Sequence, residues 1–276
     1  MSMQRYAAGV EYFGAPFLGW QRQSHGPTVQ EGLEAALSRI ADHQVEAQCA
    51  GRTDAGVHAA LQVMHFDSTA PRSPRAWMLG ANTLLPDAIS ILWVQPVSAD
   101  FHARYSATRR TYHYLILNRA SRPGLMRDRV TWECRPLAEA RMMAAAQPLL
   151  GEHDFAAYRA VACQARTSIR TVYRLDIRRS GAWLVIEVEA NAFLHHMVRN
   201  IAGVLMEIGR GRQPVEWAAE VLHSRDRSRG GVTAPAGGLY LAGVHYPEQY
   251  GLPSTGTSLP PLDRSQTTTL ADFGEP

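Results

Sequence analysis

Residues 45–58 read Val-Glu-Ala-Gln-Cys-Ala-Gly-Arg-Thr-Asp-Ala-Gly-Val-His, an apolar run that leads into a glycine-bracketed turn. The run 45–50 predicts a short strand, and Gly51 and Gly56 let the backbone turn sharply after it. Asp54 is then held at a strand end beside the permanent positive charge of Arg52, which favours the ionised carboxylate. Such a group can act as a nucleophile or a base. A lone Asp-x-Gly is more often an ordinary solvated turn, so both interpretations stand at this point.

Strands and helices alternate along the chain without the regular rhythm of a parallel sheet. Residues 28–40 predict a helix, because Thr28 can cap its N-terminus, Glu31 completes a capping box and apolar residues recur on one face. Further helices are expected at 74–84, 137–150, 194–208 and 214–223. Further strands are expected at 4–11, 61–66, 89–97, 110–117, 168–178, 182–190 and 239–245, with a hairpin turn at Ser180-Gly181.

This order of elements favours an α+β fold of two similar subdomains, each a mostly antiparallel sheet backed by helices, with the active-site cleft between them. The first subdomain is expected to span residues 1–105 and to carry Asp54, and the second to span 106–250. From Gly251 the composition changes to proline, serine, threonine and glycine. That composition predicts a flexible tail over residues 251–276.

The overall composition is that of a globular protein. The 276 residues are 46% apolar, which is enough to bury a core. No run approaches the ~18 consecutive apolar residues that span a bilayer, and the first residues lack the apolar segment of a secretory signal. The three scattered cysteines suit a reducing compartment and form neither a disulfide framework nor a Cys-x-x-Cys metal site. We therefore expect a cytoplasmic protein that does not associate with membranes.

The basic residues are all arginine: the chain has 28 of them and no lysine. Schiff-base chemistry and a Walker-A phosphate loop both need lysine and are excluded. Arginines cluster at 101–129 and 158–179, where one aspartate each, Asp128 and Asp176, opposes them and tyrosines are interspersed. Such clusters suit a surface that follows a phosphate backbone and stacks bases, but ordinary solvated faces have the same composition.

Six blocks of the sequence, in register and in order, resemble the tRNA pseudouridine synthase A family. They are Gly51–His58, Gly19–Gln23 with Thr28–Gln30, the central segment Phe101–Ala107 with Arg110–Tyr114, Gly151–Phe155, Asn191–Asn200 and Gly238–Leu241. The resemblance spans roughly residues 5 to 246 and leaves out the tail. It implies conversion of uridine to pseudouridine at positions 38, 39 and 40 of the tRNA anticodon arm, without cofactor or metal, by a homodimer. Arg110 stands where many relatives have lysine, which keeps the charge but changes the donor geometry.

The resemblance also implies roles for four residues of the site. Asp54 would be the nucleophile, with attack on the ribose or on the base both open. Arg199 would keep Asp54 ionised, although periodicity alone places it off the apolar stripe of its helix, like a solvated surface arginine. Tyr112 would stack on the target uracil, where a half-buried strand aromatic is the alternative. Leu241 would form the opposite wall of the pocket, or simply belong to the strand core.

The remaining candidates concern RNA. A base within a stem must leave its stack, which costs on the order of a few kcal/mol, and inserted or phosphate-binding side chains offset that cost. The candidates for base flipping and RNA contact are Arg52, Arg72, Arg104, Phe101, His102, Ala103, Tyr105, Gln164 and Arg166. His58 and His102 belong to the matching blocks but receive no catalytic role.

Three other interpretations fit the sequence less well. A metal site at His195 and His196 is not expected, because adjacent residues of a regular element point to different faces. An aspartyl hydrolase needs Asp-Thr/Ser-Gly and a second carboxylate, whereas Asp54-Ala55-Gly56 occurs once. A non-catalytic RNA-binding module would need the arginine clusters but not Asp54, Tyr112 and Arg199 together.

Overall fold

The computed structural model describes residues 3–253 and contains ten strands and five α-helices in that range. The strands are β1 (Gln4–Tyr12), β2 (Ala47–Cys49), β3 (His58–Ser68), β4 (Ile89–Val97), β5 (Arg109–Asn118), β6 (Thr131–Glu133), β7 (Gly151–Asp154), β8 (Ile169–Ser180), β9 (Trp183–Ala190) and β10 (Leu239–His245). The helices are α1 (Val29–Ala41), α2 (Pro74–Asn82), α3 (Glu139–Ala146), α4 (Met197–Gly209) and α5 (Trp217–Ser224). The predicted tail lies mostly outside the described residues.

The strands of both halves form one continuous sheet in the order β4-β1-β3-β10-β5-β9-β8-β7, with β2 added beside β3 and β6 beside β5. Two strand pairs are parallel, β3 with β10 and β5 with β6, and the other pairs are antiparallel. The predicted α+β class with a mostly antiparallel sheet is therefore confirmed. The halves meet where β10 pairs with β3, at Tyr240 opposite His58 and Leu241 opposite Ala59. The predicted boundary near residue 105 falls in the connection between β4 and β5 and stays a prediction.

Local signals placed several elements correctly. The Thr28 hydroxyl accepts a hydrogen bond from the Glu31 N–H and caps α1 as predicted. The hairpin of β8 and β9 turns at Gly181, whose φ of 57° lies in the left-handed region that glycine tolerates. Other boundaries moved. The helix expected at 137–150 is α3, followed by a 3-10 turn at Gln147–Leu149 that contains Pro148.

The core lies against one face of the sheet and runs through both halves. One cluster of buried apolar residues includes Leu33 of α1, Met64 of β3, Tyr114 of β5 and Ile201 of α4. Side chains alternate along a strand, so Leu115 and Leu117 of β5 fall on the opposite face and join a second, smaller cluster. One core cluster therefore joins the helices and the sheet of both halves. This shared packing holds the strands, and the loops at their ends, in fixed positions relative to one another.

Candidate active site

The turn that carries Asp54 connects β2 to β3 and is fixed on both sides. The backbone of Gly19 passes so close that an added Cβ there would lie 2.5 Å from the Thr53 carbonyl oxygen. The N–H of Trp20 donates to the same oxygen at 3.0 Å, and the Thr53 hydroxyl is hydrogen-bonded to the buried Tyr12 hydroxyl at 2.8 Å. Asp54 itself remains partly exposed, with 26% of its side-chain surface accessible. A rigid turn therefore presents one accessible carboxylate.

Three side chains from the start of α4 surround that carboxylate. An Arg199 guanidinium nitrogen donates to Asp54 Oδ2 at 3.4 Å, while Arg199 Nε donates to the Ala234 carbonyl at 2.8 Å. His195 Nε2 lies 3.2 Å from Oδ1, and His196 Nε2 lies 3.4 Å from Oδ2. The guanidinium thus contacts the carboxylate both as an opposite charge and as a hydrogen-bond donor. The structure thus brings together Asp54 and Arg199, the predicted nucleophile and its predicted partner.

The two histidines next to Asp54 are candidate site residues that the sequence did not predict. Helix α4 was expected to begin at residue 194, but His196 adopts a left-handed conformation with φ of 62° and the helix begins at Met197. In consequence the imidazole rings of His195 and His196 lie 4.1 Å apart, and both face Asp54. The premise that adjacent residues point apart holds for regular elements and does not hold here. Burial, together with the charge of Arg199, keeps the pKa of His196 below its usual value despite the opposing effect of Asp54.

Tyr112 of β5 lies next to the same turn. An added Cβ on Gly51 would be 3.9 Å from the Tyr112 hydroxyl, and the Tyr112 ring makes an edge contact with Phe193 at 4.9 Å between centroids. Burial raises the pKa of Tyr112, and the negative charge of Asp54 raises it further, so the phenol is neutral at physiological pH. Tyr112 therefore offers a neutral aromatic ring beside the carboxylate.

Leu241 lies opposite Tyr112 in the register of β10 and β5 but is fully buried. It is not among the residues that line the cleft, whereas Leu239, two positions earlier on the same strand, is. The role of Leu241 as a pocket wall stays a prediction.

The turn opens into a cleft of about 1360 Å³ that both halves line. Six arginines and three acids line it, so the cleft is basic. Five of the RNA-binding candidates lie along it: Arg52, His102, Arg104, Tyr105 and Gln164. Tyr105 is 77% exposed and the Arg104 guanidinium lies 5.6 Å from its ring, which leaves both free to meet a ligand.

The other four candidates lie elsewhere. Phe101 is fully buried against Tyr246, and Ala103 is buried with its N–H donating to His65 Nδ1. Arg72 is exposed outside the cleft lining, where its Nε donates to the Ile40 carbonyl, and Arg166 is exposed in the loop before β8. Phe101 and Ala103 are thus buried residues that anchor the exposed side chains of Arg104 and Tyr105. Contact with RNA by any of these four candidates stays a prediction.

Arg110 emerges as a buried connection between segments of the site. Its guanidinium donates to the carbonyls of Ala50 at 3.0 Å, Arg104 at 2.7 Å, Asn191 at 2.9 Å and Ala107 at 3.3 Å. Burial lowers the pKa of Arg110. A single side chain therefore links the start of the Asp54 turn, the 102–105 segment and the chain that leads into α4. Spacing in the sequence gave no signal for this role.

Arg170 of β8 is a further cation of the cleft wall. Burial lowers its pKa, and its Nε is buried without a hydrogen-bond partner among residues 3–253. As a residue that lines the cleft, Arg170 adds positive charge to its wall.

Comparison with known proteins identifies the class. A family model described as tRNA pseudouridine synthase matches residues 8–106 and 145–247, and the chain belongs to this family of isomerases that act on tRNA. The relatives it matches are tRNA pseudouridine synthases A, as the sequence blocks predicted. The protein of Alcanivorax borkumensis is 55% identical over 91% of this chain and 94% of its own length. That of Nitrosococcus oceani is 54% identical over 90% and 96%, and that of Coxiella burnetii 53% over 91% and 96%.

Between residues 3 and 253, no helix combines the length and the apolar character needed to cross a bilayer.

Proposed function

We propose that this enzyme isomerises uridine to pseudouridine at positions 38, 39 and 40 in the anticodon stem and loop of tRNA, with Asp54 as nucleophile. The observation that carries the proposal is the Asp54 carboxylate in contact with Arg199, beside Tyr112, at the floor of a basic cleft. This arrangement supports the proposal because it combines a carboxylate, an aromatic ring and positive charge at one place, and the reaction calls on all three.

The chemistry exchanges one bond to the ribose for another. The bond between C1′ and N1 breaks, the uracil turns while it stays trapped, and a bond between C1′ and C5 forms. C5 loses a proton and N1 gains one, so the reaction needs no oxidant or co-substrate. Asp54 can attack the ribose or the base as a nucleophile, and on either route Arg199 contacts its carboxylate.

Stacking on Tyr112 would hold the uracil and still permit it to rotate. A stacked ring holds a base by its face and leaves its in-plane orientation free. The neutral phenol of Tyr112 lies at the Asp54 turn, where an extruded base would arrive. Stacking therefore retains the detached uracil, and the walls of the cleft keep it from leaving.

The cleft lining suits an RNA stem with one base flipped out. Extrusion costs on the order of a few kcal/mol, and phosphate contacts offset it. Arg52 and Arg104 have no carboxylate partner among the described residues, and both are exposed on the cleft lining. We infer that Arg52 acts next to the flipped nucleotide and that Arg104 with Tyr105 contacts the flanking strand.

We also propose that the enzyme is a homodimer and works in the cytoplasm, as the resemblance implies. Sedimentation equilibrium measures the oligomeric state directly. We expect a mass of twice the 30.5 kDa chain, and a monomer at micromolar concentration would contradict the homodimer.

Mapping of pseudouridine in tRNA tests the proposed function. A strain that lacks this protein should lose pseudouridine at positions 38, 39 and 40 and keep the modification elsewhere in tRNA. The wild-type gene should restore it, and a variant with an exposed carboxylate removed, Asp87→Asn, should restore it equally. Loss at other positions, or no loss, would contradict the assignment.

A further inference from the structure

The group formed by Asp54, His195 and His196 has the geometry of a metal-binding site. One ligand atom of each residue lies within 4.8 Å of the other two. The two contacts that join the histidines to the carboxylate measure 3.2 Å and 3.4 Å. A tetrahedral ion with bonds of about 2.0–2.1 Å to nitrogen and oxygen holds its ligands roughly 3.3 Å apart. Each nitrogen-to-oxygen distance therefore matches one edge of such a coordination sphere, for His195 at Oδ1 and for His196 at Oδ2.

We propose that this cluster binds a transition-metal dication such as Zn²⁺ or Co²⁺ and that the bound ion inhibits the enzyme by occupying the Asp54 carboxylate. Two imidazoles and one carboxylate suit zinc and cobalt, whereas Mg²⁺ prefers oxygen ligands. The fourth position opens to the cleft, because His195 is 41% exposed at its side chain. The site is inhibitory and is not a cofactor site.

Arg199 does not preclude the ion. It contacts Oδ2, which His196 also approaches, while Oδ1 faces His195 and is left to the ion. Metal-ligating carboxylates commonly accept hydrogen bonds from an outer partner that orients them. Arg199 takes that position here and limits the affinity through its charge.

The inhibition, but not the binding, rests on the proposed role of Asp54. A carboxylate whose lone pairs are donated to a metal ion is a poor nucleophile. Millimolar Mg²⁺, which tRNA folding requires, should leave the enzyme active, whereas micromolar Zn²⁺ should stop it. Chelation should restore the activity.

Metal binding is measured on the full-length protein with Co²⁺ and Zn²⁺ alone. We expect one Co²⁺ per chain with the visible absorption of a tetrahedral nitrogen and oxygen site and without a thiolate charge-transfer band. The double variant His195→Gln/His196→Gln should weaken Zn²⁺ binding in calorimetry by more than about 100-fold, since loss of an outer partner alone costs about 10- to 100-fold. His25→Gln, which removes an exposed histidine outside the cleft lining, is the matched control and should bind as the wild type does.

Three outcomes would overturn the site: no tetrahedral Co²⁺ spectrum, a thiolate band from one of the three cysteines, or unchanged Zn²⁺ affinity in the double variant. These readings need no turnover. An error in the proposed function would show instead as Zn²⁺ bound at these residues with undiminished activity.

Discussion

The guanidinium of Arg199 lies 3.4 Å from the carboxylate of Asp54, although 145 residues separate them in the sequence. The contact joins the turn between β2 and β3 in the first half to the first turn of α4 in the second. It exists because β3 and β10 pair across the centre of the sheet and hold the two halves in register. The contact between Asp54 and Arg199 is thus assembled by the fold rather than by either half alone.

Replacement of Arg110 should destabilise the protein, because this side chain links three segments of the site through hydrogen bonds to their carbonyls. Arg110→Met leaves four buried or half-buried carbonyls without their donor and should destabilise the protein by roughly 3 kcal/mol or more, since hydrogen bonds to a charged group contribute about 1.5–3 kcal/mol each. Arg110→Lys keeps the charge and part of the bonding, so its loss should be smaller. Urea unfolding checks both, with the exposed Arg122→Met as control. Equal stability of the Met and Lys variants would rule out the carbonyl bonds as the cause.

Two substitutions of Tyr112 should distinguish the contribution of its ring to activity from that of its hydroxyl. Tyr112→Ala should lower kcat/KM by about 5- to 150-fold, because base stacking contributes about 1–3 kcal/mol. Tyr112→Phe keeps the ring and should stay within a few-fold of the wild type. Steady-state kinetics on tRNA measure both variants. A Phe variant as impaired as the Ala variant would show that the phenol oxygen, and not the ring, carries the function.

Arginines that line the cleft and have no carboxylate partner among residues 3–253 should set the salt dependence of RNA binding. Each of Arg52→Gln, Arg104→Gln and Arg170→Gln should reduce the slope of log K against log salt by about 0.7–0.9, the value for one phosphate contact. Arg75→Gln on α2 is exposed away from the cleft lining and should leave the slope unchanged. Filter binding of an anticodon-arm hairpin at several salt concentrations gives the slopes. Identical slopes for the cleft variants and Arg75→Gln would place the RNA elsewhere.

Stability should fall in mild acid because two buried histidines resist protonation. Burial lowers the pKa of His58 and of His65 from 6.5 to about 4. The unfolded chain therefore binds protons more tightly than the folded one below pH 6.5, and stability decreases until about pH 4, by on the order of a few kcal/mol. In the folded protein, His58 Nδ1 accepts from the Gly14 N–H and cannot also carry a proton.

Chemical unfolding between pH 4 and 7 measures this effect. His58→Gln should flatten the pH dependence, and His223→Gln, an exposed histidine on α5, should not change it. A wild-type stability that is constant over this range would contradict the buried neutral histidines.

Much of the fold follows from local patterns, because caps, apolar periodicity and turn glycines act within a few residues. The helix at Thr28 and the hairpin at Gly181 are of this kind. The short strands β6 and β7 were not predicted, since three or four residues carry little periodicity and pair only after the longer strands are in place. The left-handed His196, which turns two histidines toward Asp54, breaks the regular pattern on which the sequence prediction relied.

In the candidate site, too, some residues could be predicted from the sequence and others could not. Asp54 and Tyr112 lie in recognisable sequence blocks, and their proximity agrees with the expectation. Arg110 and Arg170 gave no sequence signal, because a buried arginine bonded to carbonyls and a solvated arginine look alike until the chain is folded. Leu241 shows the converse: its block matches, yet its side chain is buried beneath the cleft.

Asp54→Asn most directly tests the central claim that this carboxylate performs the chemistry. The substitution keeps the shape of the side chain and removes its charge, so anticodon-arm affinity should stay within a few-fold of the wild type while pseudouridine formation under single-turnover conditions disappears. The exposed Asp87→Asn should retain full activity. Measurable pseudouridine formation by a purified Asp54→Asn enzyme would contradict the account.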